Sequence, residues 1–188
     1  MLSRHKSNIY SQYGEDGVIA HIVTALGMDK RPRGWLIDFG AWDGVRYSNL
    51  QALVERGFPA LEFEADQGRF AQLVEHAKKW PRIVPVHSII DPRTIAFHLD
   101  HYLAPQSGPI ALLNVDIDGD HAAILRALSI RPAIVVVEWC DHGNREQLEP
   151  LTLWARARRY KEVCRTNSNL IFVTEEAYTK LEAVEDLP

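Results

Sequence analysis

Apolar runs of strand length alternate with helical patterns through most of this chain. The alternation breaks only near the end, where two runs follow one another with three residues between them. A helix reads over residues 14–26, with Val18, Ile19, Ile22, Val23 and Leu26 on one face and Gly27 as its stop. Strands then read at 35–39, 60–63, 82–86, 110–117 and 133–137. Helical patterns follow them at 48–56, 69–79, 94–102, 121–128 and 146–159. Residues 133–137 form the most apolar run and are rich in β-branched side chains, as a strand buried on both faces requires. The closing runs at 161–165 and 169–174 are joined by Thr166-Asn167-Ser168, which has hairpin composition. Five strand–helix units and a hairpin predict an α/β fold: an open, mostly parallel sheet with helices on both faces and one antiparallel strand near its edge. The polar break at 29–34 separates an N-terminal helical cap segment, residues 1–33, from a ligand-binding domain, residues 34–188.

In such sheets ligands bind beyond the carboxyl ends of the strands, at the point where strand order reverses. The chemistry should therefore stand just after each strand. The first strand runs into Asp38-Phe39-Gly40-Ala41-Trp42-Asp43-Gly44. A nicotinamide dinucleotide site calls for G-x-G-x-x-G. Here the spacing is G-x-x-x-G, and Asp38 and Asp43 would repel a pyrophosphate but suit an ammonium or a sulfonium. The second strand ends at Glu64, followed by Ala65 and Asp66, about 20 residues past the turn, where a carboxylate can hold a ribose. Asp66 can equally cap the next helix. His87 and Ser88 close the third strand, where an adenine would lie.

The fourth strand leads into Asn114-Val115-Asp116-Ile117-Asp118-Gly119-Asp120-His121, and the fifth ends at Glu138 with Asp141 and His142 beyond. If the strand reaches Ile117, Asp116 and Asp118 point to one side. Asp116, Asp118 and Glu138 would then suit a hard ion such as Mg²⁺. Asp116, Asp118, His121 and His142 would alternatively supply a general base and its orienting carboxylate. Asp118 and Asp120 can also act simply as helix caps.

Composition narrows the partners. Lys and Arg number 21 against 25 acidic residues, a formal charge of −4, which speaks against a nucleic-acid binder. No run is long and apolar enough for a membrane span, and the first ten residues lack a signal-peptide core. Cys140 and Cys164 have neither disulfide-framework nor zinc spacing. A reducing, cytoplasmic setting is the expectation.

Taken in order, Ser11-Gln12-Tyr13-Gly14-Glu15-Asp16, the 37–44 run with Ser48-Asn49, the 61–66 run, the 114–120 run and the 135–139 run resemble the FkbM-like family of S-adenosylmethionine-dependent methyltransferases, over residues 11–173. The resemblance implies a class I methyltransferase fold with seven strands and a bound S-adenosylmethionine. Carried over, Asp38 and Gly40 would face the methionine part, Glu64 the ribose, and Asp116 the amine or the transferred methyl. The full cofactor surface would comprise Asp38, Gly40, Ala41, Asp43, Gly44, Ser48, Asn49, Glu64, Ala65, Asp66, His87, Ser88 and Asp116. Gln12, Glu15 and Asp16 would edge a lid, or else complement a helix dipole. Where many relatives carry lysine, this chain has Asn114. The expected reaction is O-methylation of a small hydroxylated acceptor, a sugar or a secondary metabolite, held under the N-terminal segment or at a homodimer interface. A non-catalytic module that keeps the cofactor and a nicotinamide-dependent oxidoreductase are the other readings.

Overall fold

The computed structural model describes residues 1–30, 32, 34–103, 108–140 and 145–185. After a short 3₁₀ turn at Leu2–His5, α1 (Glu15–Ala25) leads to β1 (Trp35–Phe39), α2 (Gln51–Val54), β2 (Ala60–Glu64), α3 (Gln67–Ala77) and β3 (Ile83–His87). Then follow α4 (Ile95–Leu103), β4 (Ile110–Val115), α5 (His121–Ala127), β5 (Ile134–Glu138), α6 (Leu148–Ala157), β6 (Tyr160–Arg165), β7 (Asn169–Thr174) and α7 (Glu175–Glu182).

The strands form one sheet in the order β3-β2-β1-β4-β5-β7-β6. β7 is inserted antiparallel between β5 and β6. The other neighbouring pairs are parallel. The predicted hairpin and antiparallel strand are thus present. The chain lays β1, β2 and β3 in one direction and β4 and β5 in the other, so the reversal falls between β1 and β4.

Side-chain alternation puts two cores on the two faces. Ile37, Phe39, Leu61, Phe63, Leu113, Val115, Val135 and Val137 pack against α4, α5 and α6. Leu36, Ala60, Leu112, Ile134 and Val136 pack with residues of α1, α2 and α7. Ile134, Val135, Val136 and Val137 are all fully buried. Covered on both sides, each of these side chains contributes about 1.5–3 kcal/mol of transfer energy, which is why β5 reads as a continuous apolar run. α1, the core of the predicted cap segment, sits in the same apolar cluster as the sheet through Val18, Ile19, Ile22 and Val23.

One local expectation needs correction, and one element was not foreseen. β4 stops at Val115, two residues short of the predicted end, so Asp116 and Asp118 are not strand neighbours on one face. α7 follows β7 directly, with Thr174 Oγ1 accepting from the Ala177 amide at 3.2 Å. Its mixed sequence, charged on its outer side and anchored by Ala177 and Leu181, carries too few apolar positions to stand out by period.

Among the described residues no helix is long and apolar enough to cross a membrane. Both cysteines are free; Cys164 is buried and Cys140 half-buried.

Candidate functional site

The turn after β1 is shaped by a collision it avoids. A Cβ on Gly40 would lie 1.8 Å from the Asp116 carbonyl oxygen, and its φ is +96°. Only glycine lets the ends of β1 and β4 approach this closely. The amides of Gly40 and Ala41 both reach the Phe63 carbonyl, at 3.0 and 2.9 Å, and the Asp116 amide reaches the Phe39 carbonyl at 2.9 Å. The ends of β2, β1 and β4 are thereby locked side by side.

Glu64 braces this turn. Its Oε2 accepts from the Trp42 amide at 2.8 Å and its Oε1 from the Asp66 amide at 2.7 Å. Trp42 needs the support, because its φ of +53° is left-handed for a bulky residue. The Arg69 guanidinium lies 3.9 Å from the centre of the Trp42 ring, a cation–π contact on the same residue. Glu64 is 6% exposed, so these bonds fix its carboxylate at the end of β2, beside the β1 turn. Each carboxylate oxygen has two lone pairs, which leaves acceptor capacity for a pair of ligand hydroxyls.

Deeper in, one rung of the sheet is polar across three strands. Register places Glu62, Asp38 and Asn114 side by side on β2, β1 and β4. The rung continues as Val136 and Ile171. Asn114 Nδ2 donates to Asp38 Oδ1 at 2.8 Å, and Asn49 Nδ2 donates to Asn114 Oδ1 at 3.0 Å. Burial pushes the Asp38 carboxyl up to about 7; the Asn114 bond opposes this, while the Asp116 and Glu64 carboxylates reinforce it. Glu62 is fully buried and neither of its oxygens has a hydrogen-bond partner. Burial first, and then the charge of Asp38, holds its carboxyl well above the usual range. Among the described residues no basic side chain pairs with either acid, and two buried carboxyls so placed favour the protonated form.

The other expected cofactor residues are placed as follows. Asp43 Oδ1 accepts from the Val45 and Arg46 amides at 2.9 and 2.7 Å, pinning the turn that contains Gly44. Ser48 Oγ accepts from the Leu50 and Gln51 amides, each at 3.1 Å, and so starts α2. Asp66 caps α3 through the Arg69 amide at 2.8 Å, the capping alternative raised by the sequence. Ala65 is exposed, and its carbonyl meets His87 Nε2 at 3.0 Å. The His87 ring stacks on Phe70 at 4.8 Å. Ser88 Oγ meets His98 Nε2 at 2.9 Å.

The β4–β5 end is more open. Asp116, Asp118 and Asp120 are all exposed. Asp120 caps α5, accepting from the Ala123 amide at 2.8 Å. Gly119 adopts a φ of +120°, and a Cβ there would meet nothing within 4 Å, so the chain bends freely between strand and helix. His121 is 4% exposed, with Nε2 3.7 Å from Glu138 Oε2. Among the described residues, Asp116, Asp118 and Glu138 do not gather their oxygens into a metal-ligating group. These residues as placed do not fit an Mg²⁺ site. His142 and Asp141 lie outside the described residues.

The N-terminal acids act as struts rather than as a solvent-facing edge. Asp16 Oδ2 accepts from the amides of Ile9, Tyr10 and Ser11 at 2.8, 2.6 and 2.8 Å. Glu15 accepts from the Tyr13 amide at 2.8 Å, Thr166 Oγ1 at 2.5 Å and Asn169 Nδ2 at 3.1 Å. They tie a strap, residues 7–14, to the turn between β6 and β7, which borders the end of β5 through the Glu138–Asn169 pairing. Gln12 and Tyr13 face solvent on that strap.

Glu62 and the bridging role of Asn114 escaped the sequence reading. The signal for Glu62 was available: Glu62 and Glu64 alternate along β2, so both must point to the same buried face.

No protein-family profile matches the chain, and no curated protein matches it. Solved structures do resemble it. The precorrin-6y C5,15-methyltransferase of Geobacter metallireducens aligns over 89% of this chain and 92% of its own length, at 12% identity and a TM-score of 0.54. An S-adenosylhomocysteine-bound Podospora anserina methyltransferase, PaMTH1, aligns over 85% and 79%, at 13% identity and a TM-score of 0.52. The METTL16 methyltransferase domain aligns over 84% of this chain at 16% identity and a TM-score of 0.55, and this chain spans 66% of that domain. Sheet order, the inserted antiparallel strand and these neighbours agree: the chain has the Rossmann-like fold of the class I methyltransferases.

Proposed function

We propose that the chain is an S-adenosylmethionine-dependent methyltransferase that methylates a hydroxyl of a small acceptor, a sugar or a secondary metabolite. One observation carries the cofactor reading. Beside the strand-order reversal, the fixed carboxylate of Glu64 and the buried carboxyl of Asp38 flank a glycine turn that only glycine can make. Ligands of such sheets bind at that point. The residues fit this cofactor: Glu64 would accept from the ribose hydroxyls, and Asp38 would face the ammonium of the methionine part, with Asp116 nearby. His87 and Phe70 offer a ring stack at the neighbouring strand end. S-adenosylmethionine, when bound, supplies a methyl group on a sulfonium.

The remaining task of the chain is to align an acceptor and take up its proton. The His121–Glu138 pair at the end of β5 is the base this reading favours, with Glu138 orienting the imidazole. The strap at residues 7–14 would close over the acceptor. The motif order that resembles the FkbM-like family supports the same reading.

A non-catalytic, cofactor-binding module is the second reading. Asn114 favours it, because the side chain beside Asp38 is a neutral amide already committed to two hydrogen bonds.

Titration calorimetry with S-adenosylmethionine and S-adenosylhomocysteine, on wild type and Glu64→Ala, tests the cofactor. Micromolar binding that falls about 10- to 100-fold in the variant is expected, the loss of one or two charge-assisted hydrogen bonds. No binding of either ligand overturns the proposal. Repeating the titration with Mg²⁺ and with a chelator should change nothing, because Asp116, Asp118 and Glu138 form no metal-ligating group among the described residues. Methyl transfer to a hydroxyl acceptor that His121→Asn lowers without changing cofactor affinity separates the enzyme from the binding module.

A further inference from the structure

Away from the strand ends, three remote parts of the chain bring metal-ligating atoms together. His5 lies in the N-terminal 3₁₀ turn, His21 in the middle of α1, and Glu185 beyond α7. The three ligand atoms all lie within 4.8 Å of one another, the one such group among the described residues. Glu185 Oε1 is 3.5 Å from His5 Nε2 and 2.7 Å from His21 Nε2.

Hydrogen bonds account for only part of this convergence. His5 Nε2 accepts from Arg4 Nε at 3.3 Å, so its lone pair faces a long hydrogen bond that a metal ion would displace. His21 Nε2 is buried and has no hydrogen-bond partner, despite the carboxylate 2.7 Å away, because the contact is off the ring nitrogen's axis. The two imidazoles are stacked, with centroids 3.6 Å apart and planes 6° from parallel, so the His5 ring must turn for both lone pairs to meet at one ion. Of the three atoms that converge, His21 Nε2 is thus the one left without a hydrogen bond.

We propose that His5, His21 and Glu185 form a site for a divalent, imidazole-preferring metal ion such as Zn²⁺, which ties the N-terminal turn, α1 and the end of α7 together. Two imidazoles and a carboxylate are the donor set such ions take, with a water in the open position. Tetrahedral ligands at zinc distances stand roughly 3.3–3.5 Å apart. The His5–Glu185 separation of 3.5 Å already matches, and the shorter His21–Glu185 contact must open by side-chain rotation. Arg4 holds the other carboxylate oxygen, Oε2, which leaves Glu185 to bind through Oε1 alone. A carboxylate ligand oriented by a second hydrogen bond is the usual arrangement at metal sites.

The test is titration of the untagged protein with Zn²⁺, and with Co²⁺ followed by its visible absorption. His5→Ala, His21→Ala, Glu185→Gln and Asp118→Asn are measured in parallel, each with a melting curve in zinc and in chelator. One equivalent of Zn²⁺ at micromolar affinity and a Tm raised by several degrees are expected. Asp118→Asn should behave as wild type, and each of the other three should bind at least tenfold more weakly. His5 is on a surface turn, so His5→Ala decides the matter if His21→Ala does not fold. Binding weaker than millimolar means that the cluster is an ion pair only and overturns the proposal. So does binding that persists in His5→Ala and Glu185→Gln, or that Asp118→Asn abolishes.

Discussion

The two sides of the β1–β4 crevice are both acidic, yet they are built in opposite ways. On the β1–β2 side, Asp38 and Glu64 are 2% and 6% exposed and held by hydrogen bonds from Asn114 and from the Trp42 and Asp66 amides. On the β4 side, Asp116, Asp118 and Asp120 are exposed, and Asp120 serves to start α5. The difference follows from where each strand stops. β2 runs on to Glu64, beneath the glycine turn, whereas β4 ends at Val115 and the acids beyond it are exposed. Charge taken out of water must be fixed and compensated, and charge left in water need not be. On the proposed function, the buried side would hold the constant, cationic cofactor and the open side an acceptor that arrives and leaves.

The glycines on the two sides give the sharpest way to break this contrast. Gly40→Ala drives a Cβ into the Asp116 carbonyl at 1.8 Å, and should cost on the order of 5 kcal/mol or abolish folding. Gly119→Ala meets open space and bears only its backbone conformation, about 1–3 kcal/mol. Urea unfolding of the pair measures both, and equal losses would remove the distinction between a locked and a free strand end.

Asp38 should reveal itself through pH. Its carboxyl moves from 3.8 to about 7 on folding, so the folded protein binds more protons than the unfolded chain between those values. Its contribution to stability is fully present below pH 3.8 and is lost as pH rises through 7. Asp38→Asn removes that dependence and should gain up to about 4 kcal/mol relative to wild type between pH 4 and pH 8. Parallel pH–stability curves for the two proteins would show that Asp38 is not buried in the way described. By the same linkage, a cationic ligand that needs the ionised Asp38 should bind more tightly as pH rises through neutrality.

Smaller effects sharpen the comparison further. Glu64→Gln leaves one of the Trp42 and Asp66 amides facing an NH₂ group, a loss of about 2 kcal/mol by chemical denaturation. Asp118→Ala, on the open side, should change stability by no more than about 0.5 kcal/mol.

Much of this architecture was legible because it rests on local patterns. The apolar run of β5, the glycines of the first turn and the three-residue link between β6 and β7 each announce an element through their own neighbours. The acid Glu64 could be placed for the same reason, since a strand end is a local event. The roles of Asn114, Glu62 and Glu15 could not be read, because their partners lie far away in sequence. Asn114 bridges Asn49 and Asp38, and Glu15 holds Thr166 and Asn169 more than 150 residues away. α7 was missed because only Ala177 and Leu181 of its residues are buried, too few to impose a period.

The sequence by itself therefore determined the order and kind of elements, the hairpin and the residues offered at each strand end, since hydrophobic period and turn chemistry act over a few residues. Tertiary structure alone decided which of those acids would be withdrawn from water. Asp38 and Asp116 are the same residue type just inside and just beyond two neighbouring strands. What separates them is the packing of α1 and α2 over one face of the sheet, and with it access to water.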